Sequence, residues 1–206
     1  MIKGIKICGI SDLKTLNYIV EHTHPPQFIG FITNYQKSKR YVEFEKLKEL
    51  VNIDRRGINF VSVLVNPDDE ILKKIKNLNF DYYQLYDVTP EKTKLIKEIY
   101  KINIISAITI NNKDDVNNYK KYENISDIIL FDGKGYEKSI GFDHKLLDNL
   151  PDKISKMIAG NIKIEDISNF KNKKDYILDL SGALEKKKGV KDINKIDKLL
   201  NSVHNN

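Results

Sequence analysis

Eight short runs rich in Ile, Val, Leu, Phe and Tyr recur along the chain, separated by longer stretches rich in Lys and Glu. The runs fall at residues 2–8, 28–32, 60–65, 82–85, 102–108, 128–131, 154–159 and 176–180. Their length and β-branched content suit buried strands. The stretches between them carry the spacing of one buried helix face: Leu13, Leu16, Ile19 and Val20; Phe44, Leu47, Leu50 and Val51; Ile71, Leu72, Ile75 and Leu78; Leu95, Ile96 and Ile99. Ser11, Asp68 and Thr89-Pro90-Glu91 stand where N-caps and first turns belong. Weaker helical patterns follow at residues 112–121, 143–149, 164–170 and 193–203.

A strand-helix unit repeated eight times in 206 residues implies parallel strands joined by right-handed crossovers. Eight such units predict a closed (β/α)8 TIM barrel rather than an open doubly wound sheet. The G-x-G-x-x-G nucleotide fingerprint is missing: Gly133 and Gly135 follow a run, but the third glycine position is Lys138. No Gly, Pro or Ser-rich linker interrupts the pattern, so one domain over residues 1–206 is expected.

Composition narrows the function. Apolar runs such as Ile128-Ile129-Leu130-Phe131 fall far short of the roughly 20 residues a bilayer demands. The opening MIKGIKICGI has charges among its apolar residues and reads as a strand, not a signal peptide. The single cysteine, Cys8, allows no internal disulfide and no cysteine metal cage, which fits a cytoplasmic protein. The net charge of +6 comes from lysines scattered among Asp and Glu, with three arginines among 35 basic residues. That is not the basic stripe with interleaved aromatics of a nucleic-acid binder, but its field would concentrate a small anionic substrate. His22, His24 and His204 lie at helix ends or in the tail and suggest no metal pair; His144 reads as a surface residue. No exposed apolar stripe stands out, so a monomer is expected.

In a barrel of this kind chemistry sits at the carboxyl ends of the strands. The first run ends Lys6-Ile7-Cys8-Gly9, and alternation points Lys6 and Cys8 to one face. A nearby ammonium would lower the Cys8 pKa and make the thiol a base or nucleophile; a small buried filler is the other reading. The sixth run ends in Asp132-Gly133, three steps around the ring from Cys8. A proton donor and a proton acceptor facing each other across a mouth suit an isomerisation. Gly160-Asn161 after the seventh run and Ser181-Gly182 after the eighth lie in the loops that hold phosphate in many barrels. Arg40, in the loop after the second run, has the fork to bind a carboxylate.

These strand ends resemble the phosphoribosylanthranilate isomerase family over essentially the whole chain. Lys6-Ile7-Cys8-Gly9-Ile10 is similar to its K-I-C-G-I opening, and Lys37-Ser38-Lys39-Arg40-Tyr41-Val42 to its K-S-P-R-Y-V. Val63-Leu64-Val65-Asn66 resembles V-F-V-N, and Gln84-Leu85 resembles the start of Q-L-H-G, with Tyr86-Asp87 in place of His-Gly. Asp179-Leu180-Ser181 and Gly189-Val190-Lys191-Asp192 resemble the closing D-V-S-S-G-V-E and P-G-x-K-D.

The resemblance implies an Amadori rearrangement of N-(5-phosphoribosyl)anthranilate in tryptophan biosynthesis, without metal or organic cofactor. It implies Cys8 as general base, Asp132 as general acid and Arg40 as the anthranilate carboxylate ligand. Departures fall mainly on the phosphate loops. Asn161 and Ala183 replace glycines of the family pattern, residues 135–143 lack its G-G-T-G-K, and His144 stands where tryptophan is common. Three competing readings are a drifted barrel that only binds a phosphorylated ligand, another phosphosugar enzyme on the same fold, and a nucleic-acid binder. Retention of both Cys8 and Asp132 argues against the first, and missing His/Asp ligand pairs and a missing N-terminal extension argue against the second.

Overall fold

The computed structural model describes residues 2–133, 141–170 and 175–204. Eight parallel strands close into a barrel in chain order: β1 (Gly4–Cys8), β2 (Phe28–Ile32), β3 (Asn59–Val65), β4 (Tyr82–Tyr86), β5 (Asn103–Ile110), β6 (Ile128–Gly133), β7 (Lys156–Ile158) and β8 (Tyr176–Leu180). Closure is by β1 against β8, with Lys6 opposite Asp179 and Ile7 opposite Leu180. The expected (β/α)8 barrel is the fold. Runs and strands differ by a few residues at their ends. The seventh contracts from 154–159 to Lys156–Ile158, although the flanking Ile154 and Ala159 remain buried.

Helices α1 (Leu13–Glu21), α2 (Phe44–Val51), α3 (Asp69–Ile75) and α4 (Pro90–Tyr100) cross between the first five strands, and α5 (Ile193–His204) follows β8. Asp12 caps α1 rather than Ser11, its carboxylate accepting the Thr15 N–H at 2.8 Å. Asp68 and Thr89 cap α3 and α4, with Pro90 in the first turn of α4 where its missing N–H is harmless. The weaker patterns between β5 and β8 form 3₁₀ helices at Lys113–Lys121, His144–Leu147 and Ile164–Phe170. Their apolar residues explain this: Val116 and Tyr119, and Ile164, Ile167 and Phe170, lie three apart, the 3₁₀ period. His144 is half-buried, packed against Phe142 at 4.8 Å and Phe170 at 5.2 Å between ring centroids, and not the surface residue expected.

Alternation along each strand splits the apolar residues into two nested cores. Ile5, Ile7, Ile29, Phe31, Phe60 and Leu64 pack outward with the helices. Phe28, Val61, Val63, Ile105, Leu130, Met157 and Ile177 fill the barrel. No helix among the described residues is long and apolar enough to cross a membrane. Near the carboxyl ends of the strands the inward positions turn polar, which is where a site can form.

Candidate active site

A cavity of about 860 Å³, open mouth included, lies at this end of the barrel. Cys8, Arg40, Asp132, Gly160, Asn161, Ser181 and Gly182 all line it. Lys6 does not. Its side chain is fully buried beneath the cavity lining, and its Nζ donates to Asp179 Oδ2 at 2.7 Å.

Lys6 and Cys8 project over Gly30 of β2. A Cβ added at Gly30 would stand 2.9 Å from Cys8 Sγ and 3.0 Å from Lys6 Nζ, closer than side chains tolerate. Glycine there opens the space both groups occupy. Burial opposes the Lys6 charge, but Asp179 and then Cys8 outweigh it, and the ammonium pKa is raised. Burial pushes the Cys8 thiol up; Lys6 opposes that shift and Asp179 reinforces it, and the net movement is upward. The expectation that Lys6 draws the Cys8 pKa toward neutrality is therefore corrected. Burial outweighs the pull of Lys6, whose ammonium is shared with the Asp179 carboxylate at 2.7 Å, and the thiol pKa stays above its ordinary value.

Asp132 faces Cys8 from β6. Burial first, and the Asp179 charge, raise its carboxyl from 3.8 to about 6, against hydrogen bonds from Tyr86 and the Gly133 N–H and the pull of Lys6. Tyr86, at the end of β4, donates to Asp132 Oδ2 at 2.8 Å.

Arg40 reaches the mouth from the β2 loop, its stem lying across Gly9. A Cβ on Gly9 would stand 2.4 Å from Arg40 Cδ, and Gly9 has φ +78°. Both space and backbone angle require glycine after Cys8. Glu185 of β9 (Glu185–Lys187) grips the guanidinium side-on, 2.5 Å from Nε and 3.1 Å from Nη2. The rest of the fork is left to face the cavity. Burial opposes the Glu185 charge, but Arg40, Lys191 and the Gly189 N–H hold its pKa below the usual range. Lys191 Nζ donates to Ser181 O at 2.9 Å and to Glu185 Oε1 at 3.3 Å. Ser181 Oγ donates to the Cys8 carbonyl at 3.0 Å, so its hydroxyl ties β8 to β1 and its offering to a ligand is backbone.

In the β7 loop Gly160 has φ +96° and Asn161 φ +53°. Asn enters this left-handed region more easily than most residues, which accommodates the departure from a second glycine. Ala183 lies in a 3₁₀ turn (Gly182–Leu184) with no positive φ, so a side chain there strains nothing. Lys134 and the sequence departures at 135–140 lie outside the described residues. Among the described residues no group of three or more His, Cys, Asp or Glu is placed to hold a metal ion.

Residues 5–202 match the model of the N-(5'phosphoribosyl)anthranilate (PRA) isomerase family. The chain belongs to that family. The N-(5'-phosphoribosyl)anthranilate isomerase of Rhizobium rhizogenes is 31% identical over 97% of this chain and 93% of its own length. That of Sulfurihydrogenibium sp. is 32% identical over 98% of each. The crystal structure of phosphoribosyl anthranilate isomerase from Thermotoga maritima superposes with a TM-score of 0.87 at 26% identity, covering all of both chains.

Within this PRA isomerase family member, the sequence reading missed Asp179, Tyr86, Glu185 and Lys191 as parts of the site. Asp179 and Tyr86 were findable, since each sits at an inward position near a strand end. Glu185 and Lys191 carried no such signal. They lie beyond the last barrel strand, in the β9 and β10 (Val190–Lys191) hairpin, where Glu185 meets Arg40 and Lys191 meets Glu185.

Proposed function

We propose that this protein is a phosphoribosylanthranilate isomerase acting in tryptophan biosynthesis in the cytoplasm, with Asp132 as general acid, Cys8 as general base and Arg40 as the carboxylate ligand. The observation that carries the assignment is one carboxyl raised to about 6 and one thiol lining opposite sides of one cavity. Asp132 protonates the furanose oxygen as the C1–O bond breaks, and the amine lone pair forms the C1=N bond of an iminium. Cys8 as thiolate removes the proton from C2, and that electron pair becomes the C1=C2 bond of an enolamine while nitrogen recovers its own. Return of a proton to C1 and loss of one from the C2 hydroxyl give the ketose.

The working form has the proton on Asp132 and off Cys8. It holds the same number of protons as the resting form, in which the thiol is protonated and the carboxyl largely ionised at neutral pH. A change of pH therefore does not interconvert them; bound substrate does, by excluding water around Asp132 and favouring its neutral form. Arg40 binds the anthranilate carboxylate, and the Gly160, Asn161, Ser181 and Gly182 loops hold the phosphate through backbone N–H groups.

The purified protein is expected to consume N-(5-phosphoribosyl)anthranilate with loss of its fluorescence. Absence of turnover would instead favour a drifted, ligand-binding barrel. Glu185→Gln, which loosens the grip on Arg40, is expected to raise KM about 10-fold with little change in kcat, because the carboxylate contact is remote from the reacting carbons. Steady-state kinetics reads this directly, and a fall in kcat with KM unchanged would remove Arg40 from the binding role.

A further inference from the structure

We propose that Tyr86 is a positioning residue that fixes which oxygen of Asp132 carries the transferable proton. The proposal rests on the reading of Asp132 as general acid. Tyr86 ends β4 with its ring in the barrel core, 5% exposed, and its hydroxyl donates to Asp132 Oδ2 at 2.8 Å. Behind it, Gln84 Nε2 donates to the phenol oxygen at 3.3 Å. A phenol has one hydrogen. With its oxygen accepting from Gln84, that hydrogen is aimed at Asp132, and the two bonds form a relay of fixed direction along β4.

Two consequences follow for the acid. Oδ2 already receives a hydrogen bond from a group oriented to donate, so the carboxyl proton belongs on Oδ1. Once that proton has gone to the sugar, the same phenol hydrogen bond stabilises the carboxylate left behind. A tyrosine suits this role because it stays neutral: burial first, and then the charge of Asp132, push its pKa well above 10. An imidazole at this place would titrate close to Asp132 itself, and its donor would change with pH. Among the described residues the other groups acting on Asp132 are Asp179 from β8, which raises its pKa, and Lys6 from β1 and the Gly133 N–H, which lower it.

The test is Tyr86→Phe, which keeps the ring and deletes the hydroxyl. The Asp132 pKa, read from its carboxyl carbon by NMR, is expected to rise by about one unit. The acid limb of kcat/KM should move up with it, and kcat should fall about 10-fold with KM within about twofold. Gln84→Met, which frees the phenol to rotate, should move kcat in the same direction by less, and it carries the test if Tyr86→Phe does not fold. A working enzyme whose Asp132 pKa and kcat ignore both changes overturns the proposal alone. An unmodified protein with no turnover overturns the reading of Asp132 as acid, and the proposal with it.

Discussion

Asp132→Asn is expected to lower kcat by about 10³-fold, within the range that positioned acid-base groups supply, and yet to make the folded protein more stable at neutral pH. Both effects have one cause. The carboxyl rises from 3.8 to about 6 because folding takes it out of water beside Asp179. A raised acid is bound to its proton more tightly in the folded chain than in the unfolded one, so stability falls as pH climbs from about 3.8 to about 6. The deficit then persists at all higher pH. A neutral amide that still accepts from Tyr86 escapes this penalty, and a gain of about 1–3 kcal/mol at pH 7 is expected by denaturant titration. Cys8→Ala should lose a comparable factor in kcat without the gain in stability. In the unmodified enzyme kcat/KM should fall below a pH of about 6, where the form with both groups protonated accumulates. Normal turnover by either variant would break the assignment of roles.

The second large effect is expected at Asp179, the partner of the buried Lys6 ammonium. Asp179→Asn leaves Lys6 fully buried without the carboxylate that now lies 2.7 Å away. Breaking a buried ion pair from one side costs about 3–5 kcal/mol, or about 10 °C in Tm for a chain of this size. The same change removes the group that reinforces the upward shift of Cys8 and frees the ammonium to attract a thiolate. The midpoint of Cys8 alkylation against pH should therefore move down in Asp179→Asn. In Lys6→Met it should move up, since Lys6 now opposes the rise of the thiol. Two variants on one ion pair thus shift the same thiol in opposite directions. A purely structural pair would leave both midpoints where they are.

The architecture was legible because it depends on local period. Ile5 and Ile7 alternate with Lys6 and Cys8, and apolar residues recur at helical spacing between Leu13 and Val20; both are properties of a few consecutive residues. The 3₁₀ segments were misread for the same reason in reverse. Ile164, Ile167 and Phe170 fit a loose α-helical pattern as well as the strict three-residue period that the fold adopts. Cap placement at Asp12 rather than Ser11 turned on a single residue, below the precision of periodicity.

For the site, chain position alone picked out Cys8, Asp132, Arg40 and the two glycine-bearing loops, because a closed parallel barrel sends every strand end to one mouth. Ionisation was another matter. The net shift of Cys8 depends on burial and on how the Lys6 charge is shared with a carboxylate 173 positions away, and no pattern in sequence encodes that contact. The grip of Glu185 on Arg40 and of Tyr86 on Asp132 likewise spans 145 and 46 positions. Sequence determined the barrel and which strand-end side chains gather at its mouth, since those follow from periods of two and about 3.6 residues repeated in order. Only the tertiary structure decided which of them hold protons, because a pKa answers to charge and burial within a few ångströms, and those neighbours come from distant strands.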